Sequence, residues 1–99
     1  MGISRYNSEG YADPTAYEAM RKRGGFAPKF VSPGLDGVPD RLLLFPGGRL
    51  AFVEVKAPGK KPRPLQRRRI EQLTALGFRV FVLDRKEQIG EILDEVQAT

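Results

Sequence analysis

Two apolar runs, RLLLF at residues 41–45 and RLAFVEV at 49–55, flank the triplet Pro46-Gly47-Gly48. Nothing else in the chain restricts its fold so tightly. Proline cannot serve inside a central ladder and glycines accept the positive φ of a tight bend, so the triplet predicts a hairpin connection. That connection sets the register: Phe45 faces Arg49, Leu44 faces Leu50, Leu43 faces Ala51, Leu42 faces Phe52 and Arg41 faces Val53. One step further out, Asp40 meets Glu54. Side chains alternate along a strand, so Leu50, Phe52, Glu54 and Lys56 share one face, with Val53 and Val55 on the other.

Directly opposed residues have Cβ atoms roughly 4.5–5.5 Å apart, and like charges so placed destabilise a sheet. A hard divalent cation compensates well, since Mg²⁺ is usually held by one or two carboxylates together with waters and substrate phosphate. Lys56, one pleat beyond Glu54, would then stabilise charge on a phosphate or orient and deprotonate the attacking water. These are the parts of metal-assisted phosphodiester hydrolysis. Plainer readings stand beside this one. Asp40 alone reads as a strand cap or turn residue after Pro39, and Glu54 with Lys56 as a solvated ion pair worth about 0–1 kcal/mol. Composition narrows the chemistry, because the 99 residues include no histidine and no cysteine. Imidazole bases, thiolate nucleophiles and Cys/His metal sites are thereby excluded.

Around the hairpin the chain divides into short elements. Residues 1–12 read as a tail and 13–99 as one domain, a size near the lower end of what a single core stabilises. Asp13-Pro14 signals a helix start, and Gly24-Gly25 ends the helix that follows. FAPKFVS, residues 26–32, predicts a first strand that Pro28 confines to an edge or a bulge. LQRRRIEQLTAL, residues 65–76, predicts a helix closed by Gly77, with Ile70, Leu73 and Leu76 turned inward. Gln66 falls on that same stripe, four residues before Ile70, where a polar amide needs a partner. Residues 78–84 predict a strand and 87–96 an amphipathic helix. The order α-β-β-β-α-β-α gives an α/β fold, a mixed sheet flanked by helices. Right-handed crossover makes the third and fourth strands parallel.

Lys and Arg outnumber Asp and Glu by 17 to 12, a net charge of +5 that suits a polyanionic partner. The excess gathers between Lys56 and Arg69, a stretch with no acid. Lys60, Lys61, Arg63, Arg67, Arg68 and Arg69 are the candidate phosphate contacts, with Lys29 a further one. No stretch has the apolar length of a signal peptide or membrane span, so a cytoplasmic protein without a membrane partner is expected.

Pro39-Asp40 followed by Glu54-Val55-Lys56 looks like the PD-(D/E)XK nuclease signature. The region from Lys29 to about Asp84 closely resembles the virus-type replication-repair nuclease (VRR-NUC) family. G-x-PD, E-x-K and the downstream Gln66 occur in the family's order and spacing. The resemblance implies a restriction-endonuclease-like core in which Asp40 and Glu54 bind Mg²⁺ or Mn²⁺. It makes the Val55 main-chain carbonyl a further metal ligand, and it assigns Lys56 and Gln66 to the remaining catalytic positions. The family pattern adds a Glu on the first helix, for which Glu18 is the candidate and Glu9 lies in the tail. Small stand-alone relatives resemble homodimeric, structure-selective DNA endonucleases acting on branched DNA such as four-way (Holliday) junctions. This implies a DNA-repair nuclease of bacterial or phage-infected cells. A DNA-binding module that keeps the nuclease fold without turnover is the alternative, and an RNA-directed nuclease a third possibility.

Overall fold

The computed structural model describes residues 14–98. The expected tail over residues 1–12, with Glu9, and the Asp13 cap lie outside the described residues. Strand β1 (Arg41–Phe45) and strand β2 (Arg49–Val55) form the antiparallel hairpin. Their register is the one the triplet predicts, from Phe45 opposite Arg49 to Arg41 opposite Val53. Gly47 and Gly48 turn the chain at φ of 85° and 75°, values that cost other residues steric strain.

Helix α1 (Pro14–Lys22) precedes the hairpin, and helix α2 (Pro64–Ala75) follows it. Leu76, expected on the inner stripe of α2, is instead exposed, because the helix ends one residue earlier and the chain turns away at Gly77. From α2 the chain enters β3 (Arg79–Leu83), which runs parallel to β2 with Glu54 opposite Val82 and Val55 opposite Leu83. A 3₁₀ turn (Lys86–Gln88) then leads into α3 (Ile89–Gln97). The sequence predicts one helix from Glu87 here. Instead Gln88 Oε1 accepts the N–H groups of Asp84 and Arg85 at 2.9 and 3.0 Å, which tightens the first turn.

The segment expected as a first strand runs antiparallel along the free edge of β1. Phe26 and Leu44 exchange both backbone hydrogen bonds at 3.0 and 2.9 Å. Leu42 N–H donates to the Pro28 carbonyl at 3.0 Å, and Phe30 N–H to the Asp40 carbonyl at 2.9 Å. Pro28 has no N–H to return, so the pairing is reduced to isolated bridges, Phe26–Leu44 and Lys29–Arg41, beside the ordered sheet β1-β2-β3. The result is the mixed sheet flanked by helices that the sequence predicts.

One sheet face carries the core. Leu43, Phe45, Ala51, Val53, Val55 and Leu83 pack with Met20 of α1 and with Ile92, Leu93 and Val96 of α3. Arg23 joins the two helices, its Nη1 donating to Asp94 Oδ1 at 2.7 Å and Gln97 Oε1 at 3.2 Å. On the other face Phe52 meets Phe30 and Phe78 edge to face, with ring centres 5.8 and 5.7 Å away. That second face also carries Glu54, and α2 reaches it.

Candidate active site

β2 ends in three consecutive buried residues, Val53, Glu54 and Val55, the middle one an acid. Alternation sends the two valines into the core and Glu54 to the opposite face. There Glu54 is only 4% exposed. Its Oε2 accepts a hydrogen bond from Gln66 Nε2 at 2.7 Å and lies 3.3 Å from Lys56 Nζ. Its Oε1 is buried and has no hydrogen-bond partner among the described residues. Both donors converge on one oxygen and leave the other bare. Burying an acceptor without a hydrogen bond costs about 1–3 kcal/mol, so this imbalance needs a physical reason.

Gln66 is buried because it caps. Pro64 opens α2 at a position where its missing N–H costs nothing. Two residues on, Gln66 Oε1 reaches back to accept the Arg63 N–H at 2.8 Å. This is the glutamine half of a capping box. The same side-chain amide thus holds the backbone at one end and Glu54 at the other. It also sets the carboxylate beside the first turn of α2, where the helix dipole favours negative charge.

Asp40 is tied to the same end of the sheet through a backbone amide. Its Oδ1 accepts the Val55 N–H at 3.1 Å, so the side chain continues the ladder past Arg41. In an antiparallel ladder the N–H and C=O of one residue face the same neighbour. The Val55 carbonyl is therefore turned to the Asp40 side, while the next amide, Lys56 N–H, donates the other way, to Leu83 O at 2.8 Å.

The loop leading into Asp40 is docked on α2. Gly37 has φ of 85°, and a Cβ placed on it would come within 2.8 Å of Leu65 Cγ. Pro39 is fully buried. Arg69, from the second turn of α2, donates through Nε to the Asp36 carbonyl at 2.9 Å and through Nη1 to Gln72 Oε1 at 3.0 Å. Helix α2 thus grips both acids, Glu54 through Gln66 and Asp40 through its loop.

Not every residue picked from the sequence joins this group. Glu18 is exposed on α1. Among the described residues no three His, Cys, Asp or Glu side chains gather as a cation cage, so Glu18 does not complete one with Asp40 and Glu54. Lys60, Lys61, Arg63, Arg67 and Arg68 are exposed along the approach to α2 and its first turns, next to Gln66. Lys29 is exposed on the edge segment. Two further contributors, the Arg63 main chain and the Gly37–Leu65 contact, are not evident from residue types. Pro64 followed two positions later by Gln66 carries a capping signal for the first; the second has no local signal.

Residues 4–86 match the family model of the VRR-NUC domain. The chain belongs to the VRR-NUC family. Within it, the chain is 57% identical over 77 residues to "Putative nuclease p44" of Acyrthosiphon pisum secondary endosymbiont phage 1, a match covering 78% of this chain and 82% of that protein. It also resembles a solved VRR-NUC domain structure with a TM-score of 0.73 and 31% identity, over 91% of each chain. This VRR-NUC chain is accordingly a nuclease domain, with its PD, E-x-K and Gln motif residues at one end of one sheet. Among the described residues no helix is long and apolar enough to cross a membrane.

Proposed function

We propose that this VRR-NUC domain is a divalent-metal-dependent DNA endonuclease that hydrolyses phosphodiester bonds in branched DNA. The observation that carries the reading is Glu54, a buried carboxylate with one oxygen held by two donors and the other without any among the described residues. A bound cation would compensate that bare oxygen. The residues that would hold Mg²⁺ or Mn²⁺ are Glu54, Asp40 and the Val55 carbonyl, all oxygen donors of the hard type such ions prefer. The ion supplies Lewis acidity at the scissile phosphate and lowers the pKa of water.

The chain's own groups do the rest. Gln66 fixes the Glu54 carboxylate, so its second oxygen keeps one orientation. Lys56, with its ammonium group 3.3 Å from Glu54, offers positive charge to a phosphate oxygen or orients the attacking water. Lys60, Lys61, Arg63, Arg67 and Arg68, with Lys29 at the sheet edge, hold the backbone of the substrate without reading its bases.

Four-way junctions present two symmetry-related strands, and a two-fold dimer would place one site on each. Such an enzyme would work in the cytoplasm of a bacterial or phage-infected cell.

The test is nicking of a labelled four-way junction in Mn²⁺ by wild type, Asp40→Asn and Glu54→Gln. Product that requires the metal and disappears in both variants supports the reading. A second reading, a DNA-binding module without turnover, is favoured by one observation, that Glu18 is exposed and completes no three-acid group with Asp40 and Glu54 among the described residues. Equal junction binding by all three proteins with no cleavage in any would select it. Cleavage of RNA of the same shape but not DNA would redirect the substrate.

A further inference from the structure

Arg69 stands out from the basic cluster to which its sequence position assigns it. Its neighbours Arg67 and Arg68 are exposed, whereas Arg69 is half-buried and two of its guanidinium nitrogens are committed to acceptors of the protein itself at the surface. Nε donates to the Asp36 carbonyl, 33 residues earlier in the chain, at 2.9 Å. Nη1 donates to Gln72 Oε1, one turn further along α2, at 3.0 Å. Gln72 therefore aims the fork and Asp36 is what the fork holds. Asp36 begins the Asp36-Gly37-Val38-Pro39-Asp40 segment, whose Gly37 already sits against Leu65 and whose Pro39 is fully buried. The segment ends at the carboxylate bound to Val55 N–H.

We propose that Arg69 is a positioning residue, straps this loop to α2, and so fixes Asp40 relative to Glu54. The proposal rests on the reading of those two acids as the metal site. Helix α2 becomes the common frame of that site: Gln66 in its first turn orients Glu54, and Arg69 one turn later orients the approach to Asp40. The role depends on the shape of the guanidinium rather than on its charge. A planar fork reaches two acceptors in fixed directions, and a lysine ammonium does not reproduce that geometry.

This separates the strap from phosphate binding, where a lysine serves nearly as well as an arginine. The variants are Arg69→Lys, Arg69→Ala and Gln72→Ala, with Arg67→Ala as the comparison. For a strap, the amides that Asp40 holds, Val55 N–H on its carboxylate and Phe30 N–H on its carbonyl, exchange hydrogen about fivefold to tenfold faster in Arg69→Lys and Arg69→Ala alike. Gln72→Ala, which alters no charge, moves the same amides in the same direction. The Mn²⁺ concentration for half-maximal nicking rises by a similar factor in the Arg69 variants. Junction affinity in EDTA keeps the wild-type slope against salt, whereas Arg67→Ala flattens it by about 0.9. Wild-type exchange in Arg69→Lys, together with a flattened salt slope in Arg69→Ala, would overturn the proposal and return Arg69 to the phosphate contacts. Should wild type fail to nick in Mn²⁺, the nuclease reading falls, while the exchange comparison still decides whether Arg69 holds the loop.

Discussion

Gln66 Nε2 donates to Glu54 Oε2 at 2.7 Å, joining the first turn of a helix to the end of a strand 12 residues earlier. The other end of the same amide caps the helix at Arg63. Replacing Gln66 by Ala therefore leaves one backbone donor and one carboxylate oxygen short of a partner. The expected loss of stability is about 1–3 kcal/mol, read from urea denaturation, with junction nicking reduced at least as strongly. Full activity in a destabilised Gln66→Ala protein would show that capping is its whole role.

Glu54→Gln tests the bare oxygen. The substitution keeps an acceptor for Gln66 but takes the carboxylate partner from the Lys56 ammonium, so the metal-free variant should unfold below wild type, while nicking disappears. Mn²⁺ at 100 times its dissociation constant should stabilise wild type by about 2.7 kcal/mol and the variant by much less. A thermal scan with and without Mn²⁺ checks both.

Asp40 separates structure from chemistry in a single pair of variants. Asp40→Asn keeps an oxygen for the Val55 N–H and should fold with wild-type stability yet lose nicking. Asp40→Ala gives up the hydrogen bond as well, at a further cost of about 1 kcal/mol. Equal nicking by wild type and Asp40→Asn would remove Asp40 from the metal site.

The loop–helix contact has its own signature. Gly37→Ala incurs both left-handed backbone strain and a clash with Leu65, together about 2–4 kcal/mol. Gly48→Ala has positive φ but nothing within 4 Å of the added carbon, so only the backbone strain, about 1–2 kcal/mol, applies. Denaturation midpoints that fall in that order identify the packing at Gly37, and equal midpoints argue against it.

Charge removal at exposed Arg67 and Arg68 together should weaken junction binding for all sequences tested. If each contacts one phosphate, the salt slope flattens by about 1.8. Loss confined to one sequence would mean base contacts instead.

The hairpin was legible because its information is local. Pro46-Gly47-Gly48 and the alternation on either side decide which residues face one another, and opposed pairs such as Leu42 and Phe52 follow by counting. Pro28 likewise announces a weakened edge, since the missing N–H is a property of the residue itself. What counting could not reach was the direction taken by a side chain at the end of the ladder. Asp40 holds the Val55 N–H with its own carboxylate, because the strand stops there and that amide is within reach.

The chain by itself determined the elements, the register and the two acids at one end of the sheet, through periodicity, turn chemistry and motif spacing that act over a few residues. Only the tertiary structure decided which charges stay available. It bound Arg69 to the Asp36 carbonyl, left Arg67 and Arg68 exposed, left Glu18 exposed, and among the described residues gave Glu54 one held oxygen and one bare. Those outcomes depend on how a helix and a loop distant in sequence pack together, and partners are assigned by that packing, not by residue type.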